Sequence, residues 1–296
     1  MRDFVEFLAY LALSTLTLGK VLYQENFEVG WETRWNQSKW RIEQQGQFLH
    51  SKGKWSLPEL SYGIQTSTDM KFYELSTVFD EVVNVSSGPI VLQFSVKFEQ
   101  STLCGGGYIK LLNPKFNTES FGGETPALII FGPDICGNNN RIHIIIDSHG
   151  RGELWRKSPE APIDKVTHFY TLSLSPDGTY ALYVDCVQIE RGKISDEWEL
   201  DYNKTFMNFV IGGIGIDVWQ VKAGTLFDNF MITDSLQEAI EYAKEFLGRQ
   251  IHYEEQLINE AKLREKEQEE EYKRLRESKD TQQPSTIDLD DEKDDL

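Results

Sequence analysis

The side chains best suited to chemistry sit in two short segments. The first is Cys104-Gly105-Gly106-Gly107-Tyr108-Ile109-Lys110 and the second is Phe131-Gly132-Pro133-Asp134-Ile135-Cys136-Gly137. Tyr108 and Lys110 are two residues apart, so on an extended strand they face the same way. Three consecutive glycines let the backbone turn sharply and let another molecule approach it closely. A bridge between the two cysteines would tie Asp134 near that face. A ring for stacking and charged groups for hydrogen-bonding hydroxyls suit a sugar. A phosphate would call for several cations and no carboxylate.

The elements that must hold these residues are strands. Ile90, Leu92, Phe94, Val96 and Phe98 alternate with Val91, Gln93, Ser95, Lys97 and Glu99, the period of a half-buried strand. Tyr170, Leu172 and Leu174 alternate in the same way, and Pro176-Asp177-Gly178 marks a turn before a strand from Tyr180 to Val187. From Val21 to about Ile232, short strands and turn signals predict a two-sheet β-sandwich. After Asp234 the period becomes helical: Ala239, Ile240, Ala243, Phe246 and Leu247 form one stripe, with Ser235 as cap. Leu257, Ile258 and Ala261 extend the stripe before Glu267 to Glu271 turn the helix wholly charged. The first turns are expected on the sandwich and the later ones in water. A coiled coil would need an apolar seam over more heptads.

With 296 residues and 40% hydrophobic content, one sizeable core with extensions is expected. The net charge of −18, from 30 basic and 48 acidic side chains, argues against a nucleic-acid partner. It favours solubility or cation binding. Residues 1–19 read as a secretory signal, with Arg2 before an apolar run and Thr17-Leu18-Gly19 at the cut. No other stretch reads as a membrane span. The last four residues, Lys293-Asp294-Asp295-Leu296, are like the address that retrieves proteins to the endoplasmic reticulum. Asn36, Asn84 and Asn203 head potential glycosylation sequons.

The two opening segments resemble the calreticulin family. So do Gly63-Ile64-Gln65-Thr66-Ser67 and the run Ile214-Gly215-Ile216-Asp217-Val218-Trp219-Gln220 through Phe227-Asp228-Asn229-Phe230. The matches follow family order from about Tyr23 to Ile232. The resemblance implies a mainly β fold, a legume-lectin-like jelly-roll β-sandwich with a long C-terminal α-helix. It divides the chain into a signal at 1–19, a sandwich at 20–234, a helix at 235–280 and an acidic tail at 281–296. The family's proline-rich arm is missing, with only residues 201–208 in its place. Recruitment of a thiol-disulfide isomerase through an arm is therefore not expected.

The function so implied is that of a non-enzymatic, calcium-binding, lectin-like chaperone of the endoplasmic reticulum lumen. Its partners would be glycoprotein clients carrying monoglucosylated high-mannose glycans. By the same resemblance Tyr108, Lys110, Asp134 and Asp217 hold carbohydrate, with Trp219, His143 and Ile145 lining the same concave face. Ala127 stands where the family has a second tyrosine, and Ile130 where it has methionine. On residue type alone, packing at a sheet surface is the favoured reading of Tyr108 and Trp219. Calcium would be held by the Asp228 carboxylate and the carbonyls of Asn26, Leu60 and Tyr62, oxygen donors that a hard cation prefers. Cys104 and Cys136 are the family's disulfide pair, contributing roughly 3–4 kcal/mol in the chain-entropy model. Cys186, with the strand parity of Leu182 and Val184, reads as a buried thiol, an intermolecular disulfide being the sharper option. Lone histidines such as His168 are more often structural than ligands.

Two other classes stand beside this one. A secreted or surface carbohydrate-binding protein would share the site but leave the cell. A jelly-roll glucan hydrolase would need two flanking carboxylates, and Glu197, Glu199 and Asp201 alternate as though on one strand face.

Overall fold

The computed structural model describes residues 19–56, 62–100, 104–200 and 206–280. Residues 1–18 of the expected signal, Leu60, Asp201, the Asn203 sequon and the acidic tail therefore lie outside the described residues. The strands, in chain order, are β1 (Val21–Glu25), β2 (Asn36–Gln37), β3 (Phe48–Ser51), β4 (Gly63–Thr66), β5 (Lys71–Asn84), β6 (Ile90–Phe98), β7 (Cys104–Gly106) and β8 (Ile109–Leu112). They continue with β9 (Ala127–Cys136), β10 (Asn139–Ser148), β11 (Arg151–Leu154), β12 (Thr167–Leu174), β13 (Thr179–Val184), β14 (Val187–Lys193), β15 (Val210–Gln220) and β16 (Thr225–Thr233). A short helix, α1 (Ile194–Glu197), precedes β15, and α2 (Leu236–Asp280) follows β16.

Two antiparallel sheets result, as the alternation predicts. The first runs β14-β13-β12-β6-β16-β4-β3, with β1 on β16; the second runs β11-β10-β9-β7-β15-β5-β2, with β8 between β15 and β9. Their inner faces share one core, in which the Phe94 ring of the first sheet meets Phe131 of the second edge-on at 5.6 Å. Such rings and the surrounding isoleucines supply most of the stabilising burial, about 25 cal/mol for each Å² of apolar surface.

The chain departs from its own alternation at β6, where all nine residues are buried. The inward set, from Ile90 to Phe98, fills the core; the outward set is covered by α2. Val91 packs with Met231 and Ala239, and Phe169 of β12 meets Phe246 at 5.3 Å. Lys97 Nζ donates to Glu254 Oε1 at 3.0 Å. Ser235 caps the helix as expected, its Oγ accepting from Glu238 N–H at 3.2 Å. Two compact units divide at Glu254. The first holds the sandwich and the opening turns of α2. The second holds the remainder of α2, whose residues 262–277 are all exposed. Among the described residues no helix is long and apolar enough to cross a membrane.

Candidate functional site

The outer face of the second sheet is built by parity. Along β15, Ile214, Ile216 and Val218 enter the core, so Gly215, Asp217 and Trp219 face outward. Along β5, Tyr73 and Leu75 enter the core and turn Glu74 and Ser76 outward, opposite Asp217 and Gly215. Lys110 of β8 pairs with Gly215, Ile130 of β9 with Lys110, and Ile145 of β10 with Ile130. One rung therefore crosses five strands as Ser76, Gly215, Lys110, Ile130 and Ile145. Asp134 and His143 follow the same parity on β9 and β10. Tyr108 occupies the break between β7 and β8. Gly132 makes that break possible: its φ is +136°, and a Cβ there would stand 2.8 Å from the Tyr108 Cα. All seven residues predicted for carbohydrate lie on or beside this face.

Their electrostatics are tightly coupled. Lys110 Nζ donates to Asp217 Oδ2 at 2.5 Å, with both residues almost fully buried. Burial raises the Tyr108 hydroxyl pKa, and the Asp217 and Asp134 carboxylates raise it further, so the phenol stays protonated. His143 Nδ1 lies 3.7 Å from Asp134 Oδ2, yet burial holds the imidazole pKa below its ordinary value. Trp219 is half-buried with its ring 4.6 Å from Phe72. Among the described residues, three buried side-chain atoms of this face have no hydrogen-bond partner: Glu74 Oε1, Ser76 Oγ and His143 Nε2. Each orphan costs about 1–3 kcal/mol.

Two segments wall the face. In one, Lys39 N–H donates to the Glu119 carbonyl of the other at 2.7 Å, and their side chains pair at 2.6 Å. Phe121 lies over Gly215 so closely that a Cβ would meet its ring at 2.4 Å. Trp40 leans on Gly122, and the Arg41 guanidinium sits 3.9 Å from the Trp40 ring centre. Glu74, Gln45 and Trp40 were not singled out in the sequence. The signal that could have found Glu74 is the alternation Tyr73-Glu74-Leu75-Ser76. Ala127 opens β9 half-buried, beside the irregular pairing at Leu111 and Leu112. A cavity of about 560 Å³, lined by Trp40, Asn113, Phe116, Asn117, Glu124 and Pro126, opens next to it.

The described calcium candidates converge elsewhere, where β16 meets β4 and α2. Asp228 is 3% exposed and its Oδ1 accepts from Asn229 N–H at 2.7 Å. The Tyr242 hydroxyl lies between Asn26 Oδ1 at 3.1 Å and Asn229 Oδ1 at 2.8 Å. A Cβ added at Gly63, next to Tyr62, would stand 3.1 Å from the Asp228 Cβ. Among the described residues no group of three or more His, Cys, Asp or Glu side chains could hold a metal. The donor set that the resemblance implies, one carboxylate with carbonyl oxygens, would suit a hard cation and not zinc.

The remaining candidates fall into place. Cys104 and Cys136 form a disulfide across paired positions of β7 and β9. Cys186 is not on a strand. It shares a tight turn with Asp185, both at positive φ (50° and 66°), the conformation that a two-residue hairpin requires. Its thiol is half-buried, 3.6 Å from the Ile240 carbonyl, and burial raises its pKa. His168 is held between Asp185 and Asp164 at 2.7 and 2.8 Å. Glu197 ends α1 and pairs with Lys157 at 3.2 Å, while Glu199 follows the helix exposed, so they do not share a strand face.

Comparison with known proteins then bears on the whole arrangement. The chain matches the model of the calreticulin family over residues 23–208. The calreticulins of Dictyostelium discoideum and Euglena gracilis are 42% and 41% identical to it over 200 and 199 residues. Those alignments cover 67% of this chain and 46% and 49% of the relatives, so the chain spans about half the length of the curated relatives it matches. The globular domain of T. cruzi calreticulin superposes with a TM-score of 0.77 at 34% identity, covering 82% of this chain and 99% of that one.

Proposed function

We propose, from the premise that this chain belongs to the calreticulin family, that the outer face of its second sheet binds the glucose-capped branch of a high-mannose glycan. The family is one of lectin-like, non-enzymatic chaperones. The observation that carries the reading is the buried Lys110–Asp217 pair with Tyr108 and Asp134 beside it, on a face that keeps three orphaned polar atoms. Lys110 and Asp217 would grip sugar hydroxyls through charge-assisted hydrogen bonds. Tyr108 and Trp219 would stack on the C–H faces, and His143 and Ile145 would close the far side.

On this reading the chain acts in the endoplasmic reticulum lumen on unfolded glycoprotein clients. A single calcium ion held by Asp228 with oxygens of Asn26, Leu60 and Tyr62 would tie β1, β4 and β16 together. Isomerase recruitment through an arm is not part of this activity, because residues 201–208 replace that arm. A glycan array probed with the purified chain tests the reading. Signal confined to glucose-capped mannose oligosaccharides supports it, and an array without glucose-dependent signal sinks it.

A further inference from the structure

Glu74 holds one of the orphaned polar atoms of the ligand face but has no role among the residues predicted to hold the sugar. It is 1% exposed on the outer face of β5 and stands directly opposite Asp217 of β15. Side chains at such paired positions have Cβ atoms about 4.5–5.5 Å apart. Two carboxylates carried on such paired positions cannot both ionise without cost. One Glu74 oxygen is accounted for: Gln45 Nε2 donates to Oε2 at 2.7 Å. The other, Oε1, is buried with no partner. The groups that bear on this carboxyl come from every neighbouring element. Asp217 lies across on β15, Lys110 beyond it on β8, and Arg41 with Gln45 in the covering segment.

We propose that Glu74 is a positioning residue for the ligand face: as an un-ionised carboxyl it anchors the Gln45 segment and leaves Asp217 as the single negative charge facing Lys110. Ionisation would set a second charge against Asp217. The Lys110 ammonium would then be shared between two carboxylates, and the geometry offered to a sugar hydroxyl would be lost. Burial first and Asp217 second push the Glu74 pKa up to about 8, against the downward pull of Arg41 and Lys110. The proton is therefore held at neutral pH and released in mild alkali. The proposal rests on the glycan reading above.

The test titrates a monoglucosylated mannose oligosaccharide into wild type and Glu74→Gln at pH 6.5 and pH 9. Wild type should lose roughly tenfold in affinity at the higher pH, one unit above the pKa. Glu74→Gln, neutral at both, should change less than twofold. Parallel losses in the two proteins would overturn the proposal. Melting temperature against pH in the same two proteins separates this claim from the glycan reading. A raised native pKa means that the folded state holds a proton the unfolded chain gives up. Wild type should therefore lose stability relative to Glu74→Gln between pH 4.5 and 8. If no glycan binds at either pH, the glycan reading fails, and diverging melting curves would still uphold the neutral Glu74. Superimposable curves would refute it.

Discussion

Lys97 and Lys110 stand on the outer faces of opposite sheets, each within 3.0 Å of a buried carboxylate, yet the two pairs are finished differently. Glu254, the partner of Lys97, also accepts from Thr167 N–H, Thr167 Oγ1 and Gln250 Nε2 at 2.7, 2.8 and 2.6 Å. Lys97 adds the Trp55 carbonyl at 2.8 Å and Glu99 at 3.3 Å. Opposite, Lys110 has Asp217 and, at 3.5 Å, the Gly122 carbonyl, while an un-ionised Glu74 faces the pair. A buried ion pair offsets its desolvation only when its remaining lone pairs and protons are satisfied. The Lys97 pair meets that condition and clamps α2 to the sandwich. The Lys110 pair meets it in part, and a ligand would complete it.

The largest effects should come from breaking the saturated pair and from opening the disulfide. Glu254→Ala leaves Lys97 with Glu99 as its remaining carboxylate and the Trp55 carbonyl, and should lower unfolding free energy by about 3 kcal/mol, read by urea denaturation. Asp217→Ala should cost less stability than Glu254→Ala; equal losses would erase the distinction between the two pairs. Opening the Cys104–Cys136 bridge, which ties β7 to β9 beside Tyr108, should cost a further comparable amount, roughly 3–4 kcal/mol. Melting of Cys104→Ser with Cys136→Ser checks it.

The sheets should also separate by pH. Burial alone would lower the His168 pKa, but hydrogen bonds to Asp164 and Asp185 carry it up to about 9. A raised histidine pKa gives stability that is fully present below about pH 6.5 and lost as pH rises toward 9. Glu74 loses its contribution earlier, between pH 4.5 and 8. His168→Gln should therefore flatten the melting-temperature profile above pH 6.5, and Glu74→Gln below pH 8. The smallest gain should come from Ala127→Tyr, which restores a ring at the rim of the ligand face. One stacking contact and one hydrogen bond are worth about 1–3 kcal/mol, or one to two powers of ten in glycan affinity.

The same contrast shows what could be read in the residues alone. Alternation along β6 and β12 located the sandwich, and the helical stripe from Ala239 to Leu247 located α2, because apolar period reports one buried face. Period is silent about a second cover. Gln93, Ser95 and Lys97 read as exposed and are buried under α2; Glu74 and Ser76, for which the sequence offered no reading, are sealed by the segments around Trp40 and Phe121. Of the seven ligand-face candidates, Tyr108, Lys110 and Asp134 were suggested by residue type and spacing, while Asp217, Trp219, His143 and Ile145 were legible only through family motifs, since their strand patterns alone are common surface chemistry. Cys186 was misplaced because Asp185-Cys186 lacks the glycine that usually marks a tight hairpin turn.

The central claim, that the under-saturated Lys110–Asp217 pair is a sugar site, is tested most directly by calorimetric titration of a monoglucosylated mannose oligosaccharide into wild type, Lys110→Ala and Ala127→Tyr. The account predicts weak, glucose-dependent binding in wild type, none in Lys110→Ala and tighter binding in Ala127→Tyr. Absence of glucose-dependent binding in both wild type and Ala127→Tyr would contradict it.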